Sequence, residues 1–232
     1  MSREHPIVAI DGPGGSGKST LAERLARELH LPYLNTGQMY RAVALEAHRR
    51  GISPGDAAAL EELAGSLRFE LSVGEGVPSL MIEGSQPRWE LASEEVEATV
   101  SRISSLQEVR AALRASQRRL GAIGAVVEGR DIGSVVFPQA DVKVFLDASP
   151  DERASRRIEE RTGHAPAGTA AEEPIAEALS ARNVADARTT PLVPAEDAVV
   201  LDTSGMSADE VFAAVRAVVL ERLDDPDRRS GD

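Results

Sequence analysis

Cysteine is missing from all 232 residues. That excludes disulfides, zinc–thiolate sites and a cysteine nucleophile, and it fits a reducing compartment. Aromatic residues are scarce, at 3%, so a core must rest on Ala, Val, Leu and Ile; a hydrophobic content of 42% is ample for one. No apolar run reaches the roughly 18 residues that a membrane-spanning helix needs. Met1 to Pro6 is polar and leads directly into an apolar tetrapeptide, without the regions of a secretory leader. The expectation is a soluble cytoplasmic protein. Positive charge is also short: 26 Lys and Arg face 38 Asp and Glu, a net charge of −12. Such a chain lacks the overall field for sequence-independent nucleic-acid binding, so any phosphate must be held by local basic groups. The histidines His5, His30, His48 and His164 do not cluster with any motif and are assigned surface or packing roles.

The chain length suits one domain with an insertion, or two small domains. Ile7 to Ile10 is a continuous apolar run followed by glycines, the pattern of a buried parallel strand. Further runs end at Glu128, Asp147 and Asp202. Leu21, Leu25 and Leu29 recur at helical spacing, and helical patterns follow from about 151 to 161, 171 to 187 and 207 to 223. Strands alternating with helices predict an α/β fold with a central parallel sheet. From 67 to 90 the rhythm changes: Phe69, Leu71 and Val73, then Leu80 and Ile82, alternate with polar residues about a turn at Gly74 to Pro78. These are expected to be short antiparallel strands. The predicted organisation is a core of 1–66 and 102–223, an insertion at 67–101, a lid at about 158–185 with a mobile Gly/Ala/Pro segment, and a disordered tail at 224–232.

Gly12-Pro13-Gly14-Gly15-Ser16-Gly17-Lys18-Ser19 fits the P-loop pattern, after a strand and opening a helix. A glycine-rich turn with an accidental lysine would not need that context. The glycines let the backbone wrap a phosphate, with N–H groups and the helix N-terminus pointing at the anion. Lys18 is expected to reach the β- and γ-phosphates of a nucleoside triphosphate, and the Ser19 hydroxyl to ligate Mg²⁺, with Thr20 closing the motif. An acid at the end of a neighbouring strand should assist. Glu128 is so placed, as are Asp11, Asp147 and Asp202, each with a capping role as the alternative.

A small-molecule kinase must also clamp the acceptor's phosphate, and the arginine fork suits that task. Arg41, Arg130, Arg182 and Arg188 fall near the carboxyl edge of the predicted sheet or on a segment able to close over it. Arg153 and Arg157 share one helix face, with Arg156 beside them. For any single arginine the plain alternative is a solvated surface charge.

At this point the chain resembles the bacterial cytidylate kinase family, within the nucleoside monophosphate kinases. The segments that carry the likeness are IDGPGGSGKST (10–20), LNTGQMYR (34–41), 101–119, GRDIGSVVFPQADVKVFLDASPDERASRR (129–157) and PLVPAEDA (191–198). The resemblance implies a P-loop kinase fold with a small β-containing insertion over the acceptor site and an arginine-bearing lid. It implies ATP as phosphoryl donor with Mg²⁺, and CMP or dCMP as acceptor. It places Arg41, Arg130 and Arg188 on the CMP phosphate, Thr36 and Tyr40 near that nucleotide, and Ser101, Arg110 and Asp131 on cytosine. Asp186, with Arg182 one turn before it, would meet the sugar. Arg153 and Arg157 would face ATP, and Lys18, Arg130, Arg157 and Arg188 would act in the transfer itself. No nucleic-acid or membrane partner is implied, and a monomer is expected.

Three departures from the family pattern stand out. Glu128 replaces the usual Asp before Gly-Arg-Asp. Leu91-Ala92-Ser93 replaces Ile-Arg-Thr, which removes one basic group near the acceptor. The spacing around Asp186 and Arg188 is shortened, so Arg188 reaches a phosphate only if its helix unwinds after Asp186. Two alternatives remain: a kinase for another acceptor such as UMP, AMP or shikimate, and a non-catalytic nucleotide-binding switch. The Ser101, Arg110, Asp131 set speaks against the first, and the surplus of arginines against the second.

Overall fold

The computed structural model describes residues 5–72, 77–87, 89–167, 169, 172–189 and 192–224; for 89, 94, 181, 182 and 185–189 it describes the backbone alone. The predicted tail lies outside these residues from 225 on, as does most of the turn at 74–78.

The four apolar runs take their places in the central parallel sheet that the sequence predicts, and a short fifth strand completes it. Strand β1 (Ile7–Asp11) is buried at every residue and pairs in parallel with β5 (Ala125–Gly129) and β6 (Val142–Asp147). At the edges β2 (Tyr33–Asn35) joins β5 and β7 (Val199–Asp202) joins β6, again in parallel, for the order β2-β5-β1-β6-β7. Helix α1 (Lys18–Leu29) buries Leu21, Ala22, Leu25 and Ala26 on one face of this sheet. Helix α8 (Ala208–Asp224) adds Val211, Val215 and Val219, one per turn, to the same core. On the other face lie α2 (Thr36–Arg49), α3 (Ala57–Ser66) and α5 (Gln107–Gly121). Small alanine contacts, such as Ala42, Ala44, Ala47 and Ala64, let these helices pack closely without aromatic bulk. None of the described helices is long and apolar enough to cross a membrane.

The antiparallel pair is β3 (Phe69–Leu71) with β4 (Leu80–Ile82), in the register Phe69 opposite Ile82. Phe69 and Leu80 are buried in the same core as α2, α3 and α5, and the Tyr33 N–H donates to the Pro78 carbonyl at 2.8 Å. The hairpin is therefore fastened to the edge of the main sheet and shares its core. A 3₁₀ turn (Trp89–Ala92) leads into α4 (Glu94–Ser105), which runs past residue 101. Beyond β6 come α6 (Pro150–Thr162) and α7 (Glu173–Thr189). Helix α7 does not unwind after Asp186 but stays helical to Thr189, three residues past the last position at which the shortened spacing required it to end.

Parallel pairing gathers the strand ends at one edge. The register sets Ile10 beside Glu128, Asp11 beside Gly129, and Asn35 beside Glu128. The segments that follow β1, β2 and β5 thus leave the sheet together, at the edge where α/β proteins bind ligands.

Candidate active site

A cleft of about 890 Å³ opens at this edge. One wall is the loop between β1 and α1. Gly12, Gly15 and Gly17 have φ of 149°, 78° and 88°, and a side chain at Gly12 would bring its Cβ within 2.1 Å of the Leu146 carbonyl oxygen. Only glycine fits this path. Gly17 caps α1 without a side-chain hydrogen bond, so the first-turn amides point into the loop. Lys18 folds back over the loop, its Nζ donating to the Pro13 carbonyl at 2.7 Å and to Ser16 Oγ at 3.4 Å. From the other side α7 reaches down, and Asn183 Oδ1 accepts the Gly14 N–H at 3.1 Å.

Below the loop, Ser19 Oγ donates to Glu128 Oε2 at 3.0 Å, and Tyr33 Oη donates to Glu128 Oε1 at 2.5 Å. Burial pushes the Glu128 carboxyl above its ordinary pKa, against the pull of nearby Lys18; burial, with Glu128 alongside, likewise raises the Tyr33 phenol. The other three acids have local roles. Asp11 accepts the N–H groups of Ile132 and Gly133 at 2.8 and 2.7 Å, and so holds the π-helical turn Ile132–Val136. Its burial raises its pKa to about 6. Asp147 accepts the N–H of Ala148, and Asp202 the N–H and hydroxyl of Ser204. Of the four acids, Glu128 is the one joined to the P-loop serine.

The far end of the cleft is built on α5 and the end of β5. Arg110 Nη2 donates to Asp131 Oδ2 at 2.6 Å, with Arg110 5% and Asp131 6% exposed. Arg114, which the sequence reading did not single out, donates to the same oxygen at 3.2 Å. Each of these arginines keeps a buried Nε with no hydrogen-bond partner among the described residues. Buried donors of this kind are costly to leave unmade, at about 1–3 kcal/mol each. The Tyr40 ring lies under Arg110, 5.8 Å from its guanidinium carbon, and burial raises the Tyr40 pKa. Thr36 Oγ1 donates to the Glu128 carbonyl at 2.7 Å and ties the start of α2 to β5. Val100 and Ser104 of α4 line this end; Ser101, between them, does not.

Between the two ends stand the arginines. Arg130 donates to the Gly12 carbonyl at 3.1 Å. Arg41 on α2 donates to the Leu91 carbonyl and to Glu97 Oε1, each at 2.7 Å, and Arg157 on α6 donates to the same Glu97 oxygen at 2.6 Å. Arg156 and Arg157 line the cleft, whereas Arg153 turns to the Ala148 carbonyl at 3.0 Å. Arg156 also anchors to Thr203 and Met206. The side chains of Arg182, Asp186 and Arg188 lie outside the described residues. The cleft thus brings together Gly14 to Thr20, Thr36, Tyr40, Arg41, Arg110, Arg130, Asp131 and Arg157. Sequence reasoning missed Arg114, Glu97 and Asn183. For Arg114 a signal existed, since it follows Arg110 by one helical turn; the contacts of the other two are long-range.

The sequence profile of the cytidylate kinase family matches residues 8–221. The cytidylate kinase of Solibacter usitatus (strain Ellin6076) is 44% identical over 221 residues, covering 94% of this chain and 93% of that one. The cytidylate kinase of Acidiphilium cryptum (strain JF-5) is 46% identical over 218 residues, covering 92% and 94%. Among solved structures, a shikimate kinase from Acinetobacter baumannii in complex with shikimate covers 96% of this chain and 97% of its own at a TM-score of 0.44 and 12% identity, too loose a likeness to bear on the acceptor. With a P-loop at one end of its cleft and a buried, arginine-braced carboxylate at the other, this chain belongs to the cytidylate kinase family.

Proposed function

We infer that this chain transfers the terminal phosphoryl group of ATP to CMP, and to dCMP, giving ADP and the diphosphate. The observation that carries this is the buried Asp131 braced by Arg110 and Arg114 at the end of the cleft away from the P-loop. Cytosine presents an exocyclic amino donor beside ring and carbonyl acceptors, and carboxylates accept from that amino group. Two arginines hold the Asp131 carboxylate in place and leave Nε–H donors for the acceptors. Uracil would set a carbonyl against the carboxylate, a mismatch of the kind that gives strong discrimination.

On the donor side, the loop amides hold the triphosphate and Lys18 leaves the Pro13 carbonyl for the β- and γ-phosphates. Ser19 and Glu128 offer a hydroxyl and a carboxylate, hard oxygen donors that fit Mg²⁺. When bound, the ion supplies charge neutralisation to the phosphates. Arg41 and Arg130 brace the acceptor phosphate and Arg157 the donor, with Arg153 fixing the start of the helix that carries Arg157. Ser101 supports the base site from α4, and Arg182 and Asp186, which share a face of α7, meet the acceptor nucleotide together, Arg182 at its phosphate and Asp186 at its sugar. Such a reaction needs positioning and electrostatic stabilisation, and no covalent intermediate. The lid of about 158–185 closes to exclude water, with the helical part of the insertion of 67–101 and not its hairpin, which is fixed to the main sheet. The chain acts as a monomer, and ATP dependence and the lack of cysteine fit the cytoplasm.

Purified protein with ATP, Mg²⁺ and a panel of nucleoside monophosphates tests this directly. CMP and dCMP should be the best acceptors, with little ATP hydrolysis when no acceptor is present. Preferred use of UMP or AMP, or hydrolysis indifferent to CMP, would overturn it.

A further inference from the structure

Glu97 is a carboxylate held against two arginines that line the cleft. It sits in the second turn of α4, and its Oε1 accepts from Arg41 Nη2 at 2.7 Å and from Arg157 Nη2 at 2.6 Å. The two guanidiniums come from different helices, α2 and α6, and both line the cleft. All three side chains are largely shielded, between 14% and 19% exposed. One anionic oxygen shared by two arginine forks is the arrangement a phosphate oxygen adopts. The remaining bonds of the arginines differ. Arg41 is also fixed to the Leu91 carbonyl, whereas Arg157 holds Glu160, an exposed residue of its own helix. Arg157 therefore has a partner to fall back on when Glu97 is displaced, and Arg41 stays in place.

We propose that Glu97 is a positioning residue that stands in for substrate phosphate, holding Arg41 and Arg157 together and neutralised until a nucleotide phosphate takes them over. This rests on the kinase reading, in which Arg41 meets the acceptor phosphate and Arg157 the donor. The carboxylate lies between the two guanidiniums that line the cleft. It acts through the arginines and has no part in the chemistry itself. Its effect is twofold. Two like charges that would repel each other across an empty cleft are kept in working geometry. Every phosphate that enters must also compete with a resident anion, so single, loosely held anions such as inorganic phosphate are turned away while multiply anchored nucleotides are not.

The test uses Glu97→Gln and Glu97→Ala, with Glu97→Asp as a control that keeps the charge. The first readout needs no turnover: inorganic phosphate is titrated calorimetrically into each protein. With the competitor neutralised, phosphate affinity should rise roughly tenfold, the equivalent of about 1.4 kcal/mol, in both Gln and Ala, and Asp should stay near the parent. The second readout is steady-state kinetics, where KM for CMP should fall by a larger factor than kcat changes. A purely structural Glu97 would give the opposite: KM raised, kcat lowered and phosphate affinity unchanged or weaker in whichever variant folds, and that result would overturn the proposal. The two readings fail separately. A parent protein that ignores CMP, with phosphate affinity still raised in Glu97→Gln, removes the CMP assignment and keeps the resident anion. A parent that phosphorylates CMP, with phosphate affinity unmoved by either substitution, does the reverse.

Discussion

Asp131 and Arg110 differ in what each leaves behind when removed. Asp131→Ala strands two guanidiniums, Arg110 and Arg114, whereas Arg110→Met leaves Asp131 still paired with Arg114 at 3.2 Å. Breaking a buried pair from one side costs about 3–5 kcal/mol because a charge is left without compensation. Both Asp131 and Arg110 are buried, so Asp131→Ala should lie in that range. Arg110→Met removes two hydrogen bonds, to Asp131 and to the Ser104 carbonyl at 3.2 Å, but takes its charge away with them and leaves the carboxylate a partner, a loss nearer about 1.5–3 kcal/mol. At roughly 2–4 °C per kcal/mol for a chain of this size, Asp131→Ala should melt about 6–20 °C below the parent and Arg110→Met clearly less. The double variant should be less damaged than the sum of the two, since Met in place of Arg110 removes the charge that Asp131→Ala strands. Catalysis gives the second reading: each single variant should lower the ratio of kcat/KM for CMP over UMP by about 5- to 150-fold, the span of one to three kcal/mol. Scanning calorimetry on the four proteins, with kcat/KM on both nucleotides, completes the cycle. Equal destabilisation by the two single changes, or an undiminished preference for CMP in Asp131→Ala, would refute the argument.

Lys18→Ala should abolish transfer while the melting temperature stays close to the parent's, because Nζ is anchored mainly to a loop carbonyl; folded variant protein with near-normal turnover would remove the P-loop assignment. Asp11 supplies a pH test. Its pKa rises from 3.8 to about 6 on folding, so the folded state binds more protons than the unfolded between these values, and stability should fall as pH rises through that window, by about 3 kcal/mol in all. Asp11→Asn should lack that fall, so the stability of the parent relative to the variant should drop by about 3 kcal/mol between pH 3.5 and 7, on top of a constant offset for the backbone N–H that loses its acceptor. Along α7, Arg182 and Asp186 are four residues apart and share a face, while Asp186 and Arg188 stand about 200° apart around a helix that continues to Thr189. Arg182→Ala should therefore depress turnover on CMP more than Arg188→Ala, as measured by kcat/KM; the reverse order would return the phosphate clamp to Arg188.

The parts legible in the sequence are those whose physics is local. Apolar runs as dense as Ile7 to Ile10 have one comfortable home, a strand covered on both faces, and the P-loop glycines announce a path that no side chain tolerates. Helices α2 and α3 were not drawn from the sequence because their buried stripes are largely alanine, a residue that marks a face only faintly; the caps that start them, Asn35 to the Gln38 N–H and Asp56 to the Ala59 N–H, are short-range signals that were present. The strand-end acids show the limit. Glu128, Asp147 and Asp202 occupy equivalent places in the chain, yet two bond to their immediate neighbours and the third to a serine 109 residues away. Which strand lies beside which decides that difference, and a one-dimensional pattern does not carry strand order. The same holds for Glu97, whose partners lie 56 and 60 residues off in opposite directions.

The bond between Asn183 and the Gly14 N–H sets an order of events. One N–H cannot serve the amide oxygen and a phosphate oxygen at full strength, so a donor nucleotide that settles into the loop must displace Asn183, by a turn of its side chain or a lift of α7. A single neutral hydrogen bond contributes about 0.5–1.5 kcal/mol, close to thermal energy, so the latch opens often by itself and a charged phosphate holds it open. Helix α7 carries Arg182, Asp186 and Arg188 with it when it moves. If α7 lifts, arrival of the donor at one end of the cleft would change where those three residues are delivered at the other, and a helix would link the two nucleotides before either had touched its partner.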